Sequence, residues 1–303
     1  MDELAKTCWV CGSRSARLYL QGRRPSGPLD ATRFRITDHD YGTSATLWQC
    51  GACGFVYADP LPADDLLAMY EQLDDPEYVD GRPYRLAQMQ TLMAQILHVT
   101  GRVASLLDVG AGTGMLVEAA QLQGLRAAGV EPSRQLSEEA RSRGLDVHTG
   151  VLPHTRVAEP VDVVTCVDVI EHVQDPVGLL HQLAAQVAPG GWVVVTTPDP
   201  DSVARRLLLR RWWHFRLAHV CFLPTTALDV AARRTGLQVV RRERQTWWFS
   251  IGYLAERVGA LLGGARAAGV VASIQRSLPG SGLLVPLNLY DSWVVFLRPD
   301  GES

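Results

Sequence analysis

The stretch 106–120, "LLDVGAGTGMLVEAA", restricts this chain more than any other. An apolar run closes on Asp108, glycines follow at alternate positions (Gly110, Gly112, Gly114), and an apolar helical pattern starts at once. Glycines at a strand-to-helix turn allow tight backbone angles and let a ligand approach the main chain. The dinucleotide fingerprint needs a further glycine at position 115, where Met115 stands. The loop is therefore GxGxG, with an acidic residue two positions before its first glycine. A second acid, Glu131, ends the next strand, placed to take ribose hydroxyls.

The flanking sequence repeats the same unit. "VASLLDV", "LRAAGVE", "LDVHTG", "VDVVTCV" and "WVVVTTP" read as strands. Between them "GMLVEAAQLQG", "SRQLSEEARSRG" and "DPVGLLHQLAAQVAPGG" read as helices, with Ser133 and Asp175 as N-caps and Pro176 in a first turn. Strands alternating with helices predict an α/β fold with a parallel sheet covered on both faces. Residues 61–100 read as a helical lid or linker and 101–303 as the main domain. A helical insertion is expected at about 250–278.

The totals set limits. With 303 residues, 47% of them hydrophobic, the chain can bury one large α/β domain and a small module. A net charge of −3 gives no general attraction to nucleic acid or to an acidic membrane. "MDELAK" lacks the basic start and apolar core of a signal peptide, and no apolar run reaches the roughly 18 residues of a membrane span. A cytoplasmic location is expected, where thiols stay reduced.

The six cysteines then need a reason other than disulfides. Cys8 and Cys11 ("CWVCG") and Cys50 and Cys53 ("CGACG") form two CxxC pairs in residues 1–60. Two glycine-flanked knuckles can place four thiolates on one structural zinc. Their spacer exceeds the usual zinc-ribbon gap of about 15–20 residues. A redox CxxC is the competing reading, and it requires one motif at a helix start.

The glycine loop, "GVEPS", "VDVVTCVDVIEHV" and "APGGWVVVTTP" together resemble the class I S-adenosylmethionine (SAM)-dependent methyltransferases over roughly residues 65–300. The resemblance implies a Rossmann-like, seven-stranded, mostly parallel sheet with one antiparallel strand. It places Asp108, Gly110, Gly112 and Gly114 at the methionine end of SAM and Glu131 at the ribose. Leu152 and Asp168 would lie near the adenine or the sulfonium. The cysteine module, followed by "CGFVYADPLP" and Tyr70, Tyr78 and Tyr84, is similar to the zinc-binding N-terminus of a subset of these enzymes. That subset works on sugars and on secondary-metabolite or polysaccharide intermediates.

"DVIEHV" puts two carboxylates and an imidazole where a buried strand ends, and in an open parallel sheet ligands sit beyond such ends. Three readings stand. His172, with Glu171 beside it, acts as a base or orients the acceptor. Alternatively Asp168, Glu171 and His172 bind a divalent ion, with His219 as a distant ligand. In the third reading Glu171 and His172 only fix the loop. His219 itself lines the acceptor pocket or is a packed histidine.

In "ARRLLLRRWWHFR" arginines surround Trp212, Trp213 and Phe215. A phosphate-bearing acceptor or the anionic surface of a membrane would suit them. An amphipathic helix with a solvated basic face explains them more simply. The expected function is methyl transfer from SAM to a small biosynthetic intermediate, most readily a sugar or glycoside hydroxyl. A lipid-linked or aromatic hydroxyl and a non-catalytic SAM-fold partner are the alternatives. The low charge and a zinc module without a basic stripe argue against nucleic acid.

Overall fold

The computed structural model describes residues 7–23, 30–37, 43–59, 63–252, 254 and 283–301. Most of the insertion expected at 250–278 lies outside them. The chain opens with three short strands, β1 (Ala16–Leu20), β2 (Leu47–Cys50) and β3 (Val56–Ala58). Three helices follow, α1 (Ala63–Glu71), α2 (Pro76–Asp80) and α3 (Arg82–Thr100).

From Ser105 the alternation read from the sequence appears as β4 (Ser105–Val109), α4 (Met115–Leu122), β5 (Arg126–Glu131), α5 (Arg134–Ser142), β6 (Val147–Thr149), β7 (Val161–Val167), α6 (Pro176–Ala185) and β8 (Val187–Pro198). A short helix α7 (Val203–Leu208), β9 (Cys221–Phe222), α8 (Thr225–Arg234), β10 (Leu237–Arg244), β11 (Trp247–Ser250), β12 (Leu284–Leu287) and β13 (Ser292–Pro299) complete it.

Seven strands form one sheet in the order β10-β13-β8-β7-β4-β5-β6. β4 pairs in parallel with β5 and β7, β5 with β6, and β7 with β8, while β13 runs antiparallel to both β8 and β10. Because β13 is reversed, its beginning lies at the carboxyl edge of the other strands.

The sheet is apolar on both faces, and its side chains alternate between two cores. Leu106, Val163, Val194, Val294 and Phe296 join α3 and α4 on one face. Leu107, Val164, Val195, Val295 and Leu297 join α6 and α8 on the other. Burying such strands on both faces is what fixes their near-continuous apolar sequences. The helix starts follow the sequence: Ser133 Oγ accepts from Leu136 N, and Asp175 accepts from Gly178 N with Pro176 in the first turn.

The cysteine-bearing strands are not a free appendage. β9 pairs with β3, with Val56 opposite Phe222 and Tyr57 opposite Cys221, completing a four-stranded sheet β1-β2-β3-β9. Cys8, Cys50, Cys53, Phe55 and Tyr57 share one apolar core with α6 and α8. Thr226 Oγ1 donates to Cys53 O at 2.9 Å, and Arg234 donates to Val10 O.

The arginine and aromatic segment differs from the amphipathic helix expected of it. α7 is six residues long and a 3-10 turn follows at Leu209–Arg211. Trp212 and Phe215 then turn inward onto Phe34, Leu47 and Phe222. Arg206, Arg210 and Arg211 stay exposed, but Arg205 lies over the Tyr19 ring and Arg216 donates to the carbonyls of Arg35 and Ile36. Burying two large rings outweighs helical periodicity over so short a run. Among the described residues no helix is long and apolar enough to cross a membrane.

Candidate active site

The glycine loop joins β4 to α4. Gly110, Gly112 and Gly114 have φ of +81°, +55° and +74°, where a side chain is strained. At Gly112 a Cβ would stand 2.8 Å from Tyr78 Oη, so the loop also lacks room for one. Gly112 N donates to Glu131 Oε2 and Ser133 N to Oε1, both at 2.8 Å. Asp108 accepts from Thr165 Oγ1 at 2.7 Å.

These two buried acids lie in the wall of one loop. Burial raises both carboxyls to about 7; the Thr165 hydrogen bond opposes the rise at Asp108, and the Ser133 and Gly112 amides oppose it at Glu131. Leu152, buried beyond β6, packs in the same core as Val109 and Val130. Tyr78, in α2, covers the loop and carries Arg85 over its ring.

Across the carboxyl edge of β7, Asp168 adopts φ of +52°. It accepts from Thr196 Oγ1 at 2.7 Å. Burial raises its carboxyl, against the pull of that hydrogen bond. Glu171 is 1% exposed; its Oε2 accepts from Thr197 Oγ1 at 3.2 Å, and its Oε1 is buried without a partner. Burial, then the charge of Asp168, pushes its carboxyl well up, so the neutral acid is favoured.

His172 Nδ1 lies 2.9 Å from Ala218 O and 2.7 Å from Tyr70 Oη. A carbonyl can only accept, so in the neutral ring Nδ1 carries the hydrogen and Nε2 keeps a lone pair. Burial, then Arg216, lowers this imidazole to about 3. His219 meets the His172 ring edge-on at 4.7 Å between centroids, and its Nδ1 is buried without a partner. One ligand atom from each of Glu171, His172 and His219 lies within 4.8 Å of the others, close enough for one ion. Asp168 is not in that group, its carboxylate being held by Thr196.

Several residues at this edge carry no motif. Tyr70 contacts His172, His214 stacks on His219 at 5.7 Å, and Asp291 Oδ2 lies 3.2 Å from His214 Nε2. Gln245 and Ser292 are buried beside them, with Gln245 N donating to Ser292 O at 3.4 Å. Only the position of β13 as a reversed strand could have pointed to Asp291 and Ser292.

The four cysteines meet in pairs that cross the two motifs. Cys8 Sγ is 3.6 Å from Cys53 Sγ, Cys11 Sγ is 3.6 Å from Cys50 Sγ, and all four sulfurs lie within 4.8 Å. A tetrahedral zinc with Zn–S of about 2.3 Å separates its sulfurs by about 3.8 Å, which this cluster fits. Neither CxxC starts a helix, as a redox motif would; each closes a turn with a left-handed glycine, Gly12 or Gly54. Burial raises the Cys8 thiol to about 11. At Cys50 burial is outweighed by the amides of Cys53 and Ala52, and the thiol falls to about 7.

A seven-stranded sheet of this order, with a GxGxG loop between β4 and α4 and acids near the ends of β4 and β5, defines a Rossmann-like α/β fold. The chain belongs to the methyltransferase domain family, whose model matches residues 82–242, more than half of its length. It is similar to a ubiquinone biosynthesis O-methyltransferase of Hydrogenovibrio crunogenus, 32% identical over 151 residues, 44% of this chain and 61% of that protein. A protein of the same name from Bordetella avium is 32% identical over 171 residues, 52% of this chain and 69% of that one. The chain thus spans about three fifths to two thirds of these relatives. A SAM-dependent methyltransferase from Archaeoglobus fulgidus superposes with a TM-score of 0.49 at 13% identity, over 74% of this chain and 99% of that one.

Proposed function

We propose that the chain transfers the methyl group of SAM to a hydroxyl oxygen of a small biosynthetic intermediate, a sugar or glycoside hydroxyl. SAM lies along Asp108, Gly110, Gly112 and Gly114, with its ribose on Glu131 and its sulfonium toward Asp168. The names of the relatives, O-methyltransferases, support oxygen as the methylated atom.

The placement of His172 carries this reading. Its Nδ1–H is committed to Ala218 O, so the Nε2 lone pair is left for an acceptor hydroxyl. An imidazole lowered to about 3 stays neutral throughout the physiological range. It is too weak a base to remove the proton in advance. It instead orients the hydroxyl oxygen in line with the methyl group and draws the proton as the carbon–oxygen bond forms. Alignment of this kind contributes several kcal/mol to an in-line displacement. Zinc at Cys8, Cys11, Cys50 and Cys53 is structural here, since four thiolates leave no open position.

Two observations favour other versions of this reaction. The unpartnered Glu171 Oε1 and His219 Nδ1 beside His172 would suit a divalent ion. Such an ion would lower the pKa of a bound hydroxyl. The relatives' link to ubiquinone biosynthesis favours an aromatic or lipid-linked hydroxyl over a sugar.

One experiment separates these readings. Isotope-labelled SAM is incubated with cell extract split into aqueous and lipid fractions, each with and without Mg²⁺ after gentle chelation. Label in an aqueous O-methylated product without Mg²⁺ is the expected result. Label confined to lipid, or strictly dependent on Mg²⁺, replaces it with the alternative concerned. Label on nitrogen or carbon rejects the proposal.

A further inference from the structure

We propose that Gln245, Ser292 and Asp291 form a hydroxyl-recognition subsite that admits an uncharged, hydroxyl-bearing acceptor and rejects a phosphorylated one. The inference rests on the O-methylation reading and identifies what selects the substrate at that site.

The fold brings these residues to the edge where the acceptor must sit. β10 runs parallel to β8, so Gln245, just past its end, lies at the carboxyl edge. β13 runs the other way, so Asp291 and Ser292, at its beginning, reach the same edge. Arg244 pairs with Trp293, which makes Gln245 and Ser292 cross-strand neighbours, and the Gln245 amide donates to Ser292 O. Asp199 N donates to Asp291 O at 2.7 Å, tying this corner to the end of β8. Asp291 also lies close enough to Asp168 to raise its carboxyl, so the corner adjoins the sulfonium side of the SAM site.

Gln245, Ser292 and Asp291 are 2%, 2% and 1% exposed. Four of their side-chain atoms have no hydrogen-bond partner: Gln245 Oε1 and Nε2, Ser292 Oγ and Asp291 Oδ1. A buried polar atom left unsatisfied is costly, so four in one corner call for a ligand. Their chemistry fits hydroxyl groups. A carboxylate oxygen and an amide oxygen accept, an amide nitrogen donates, and Ser292 Oγ does either, while each hydroxyl of a ligand both donates and accepts.

Acidic side chains gather at this edge and oppose an anion: Asp199 and Asp291 meet there through the Asp199 N–Asp291 O hydrogen bond, with Asp168 beside them. The nearby cations are engaged elsewhere: Arg244 donates to Asp199 Oδ2 at 2.8 Å and covers the Trp293 ring, and Arg216 is held by two backbone carbonyls. Arg85 lies over the rings of Tyr78 and Tyr84, with its Nε unpartnered and its charge reaching Asp168. His214 is paired with Asp291 Oδ2. Among the described residues, the phosphate-bearing acceptor suggested by the arginine-rich segment therefore meets carboxylates at Asp199 and Asp291, with Arg244 already committed to Asp199.

The test uses the full chain with S-adenosylhomocysteine bound and two probes, methyl β-glucopyranoside and glucose 1-phosphate. Binding is read by saturation-transfer NMR. The neutral glycoside should bind and glucose 1-phosphate should not. Gln245→Met keeps the shape of the side chain but removes both hydrogen-bonding atoms, and should weaken the glycoside tenfold or more. Ser292→Ala should weaken it less, with SAM affinity and Tm unchanged, and supplies the test if Gln245→Met does not fold. Asp291→Asn should narrow the discrimination against glucose 1-phosphate.

Binding of neither probe, equal binding of both, or glycoside binding unchanged in Gln245→Met and Ser292→Ala overturns the subsite. The two proposals fail separately. Gln245-dependent glycoside binding with methyl transfer to an atom other than oxygen rejects the function and leaves the subsite. An O-methyl product formed equally well by Gln245→Met rejects the subsite alone.

Discussion

Tyr57 of the cysteine module pairs with Cys221 of the methyltransferase domain, and the chain just before that strand carries Ala218 and His219 at the active site. Ala58 N donates to Val220 O, and Val220 N donates to Glu171 O at 2.9 Å. A chain of backbone bonds thus runs from the β2–β3 hairpin that carries Cys50, through Val220, to the loop that carries His172.

Metal loss should consequently reach the acceptor side. Removing zinc with a strong chelator, or Cys50→Ser, should destabilise the protein by about 3 kcal/mol and lower Tm by about 6–12 °C. Methyl transfer should fall more than SAM affinity, because β9 and not the glycine loop adjoins the module. Calorimetry of SAM binding beside a transfer assay measures both. Equal losses would show that the module supports the whole domain without preference.

Gly112→Ala should weaken SAM about tenfold to a hundredfold. The left-handed φ and the Tyr78 hydroxyl 2.8 Å from a new Cβ both oppose it. Gly124→Ala also carries positive φ but meets nothing within 4 Å. It should lower stability without a specific loss of SAM affinity, which titration calorimetry and thermal melts together would establish.

SAM affinity should rise with pH through about 7. Asp108 and Glu131 are raised to about 7 in the folded chain without ligand, above their ordinary values near 4. Acids raised on folding bind more protons in the folded state, so the stability of the free protein falls as pH rises from about 4 to 7. Ribose hydroxyls and a sulfonium favour the carboxylates, so binding releases protons below about pH 7. Calorimetry in buffers of different ionisation heat should show that release, with Kd improving about tenfold for each of the two carboxylates from pH 6 to pH 8. Glu131→Gln should flatten the profile and weaken binding.

His172→Gln should reduce kcat about a hundredfold and leave the Kd of SAM unchanged, the lower range for a positioned proton-accepting group. Tyr70→Phe removes only the hydroxyl beside Nδ1, and since Ala218 O still holds the ring, a loss of about threefold to tenfold is expected. Steady-state kinetics with the labelled product decides between these magnitudes. An unchanged kcat in His172→Gln would reduce His172 to a packing role.

The parts legible in the sequence were those with a repeating period or a fixed spacing. β4, β7 and β8 announced themselves as apolar runs because both of their faces are buried. Ser133 and Asp175 announced helix starts because a cap is a local interaction. The loop from Gly110 to Gly114 was readable because only glycine tolerates its backbone angles. The partnership of Val56 with Phe222 had no such signature: two residues of strand are too short to show a period, and their pairing depends on tertiary packing. The inward turn of Trp212 and Phe215 was hidden by the arginines around them. Gln245, Ser292 and Asp291 were unreadable because no motif separates a polar residue at a strand end from an ordinary loop residue.

The partnership of β3 with β9 also bears on the order in which the protein is made. β3 ends at Ala58, and its partner at Cys221–Phe222 is synthesised about 160 residues later. At about 5–20 residues per second, that edge of the nascent module stays unpaired for on the order of ten to thirty seconds. A metal clasping Cys8 and Cys11 to Cys50 and Cys53 would hold the hairpin closed during that interval. The rate of co-translational metal loading would then govern how much of the chain reaches its native pairing before the exposed strand finds another.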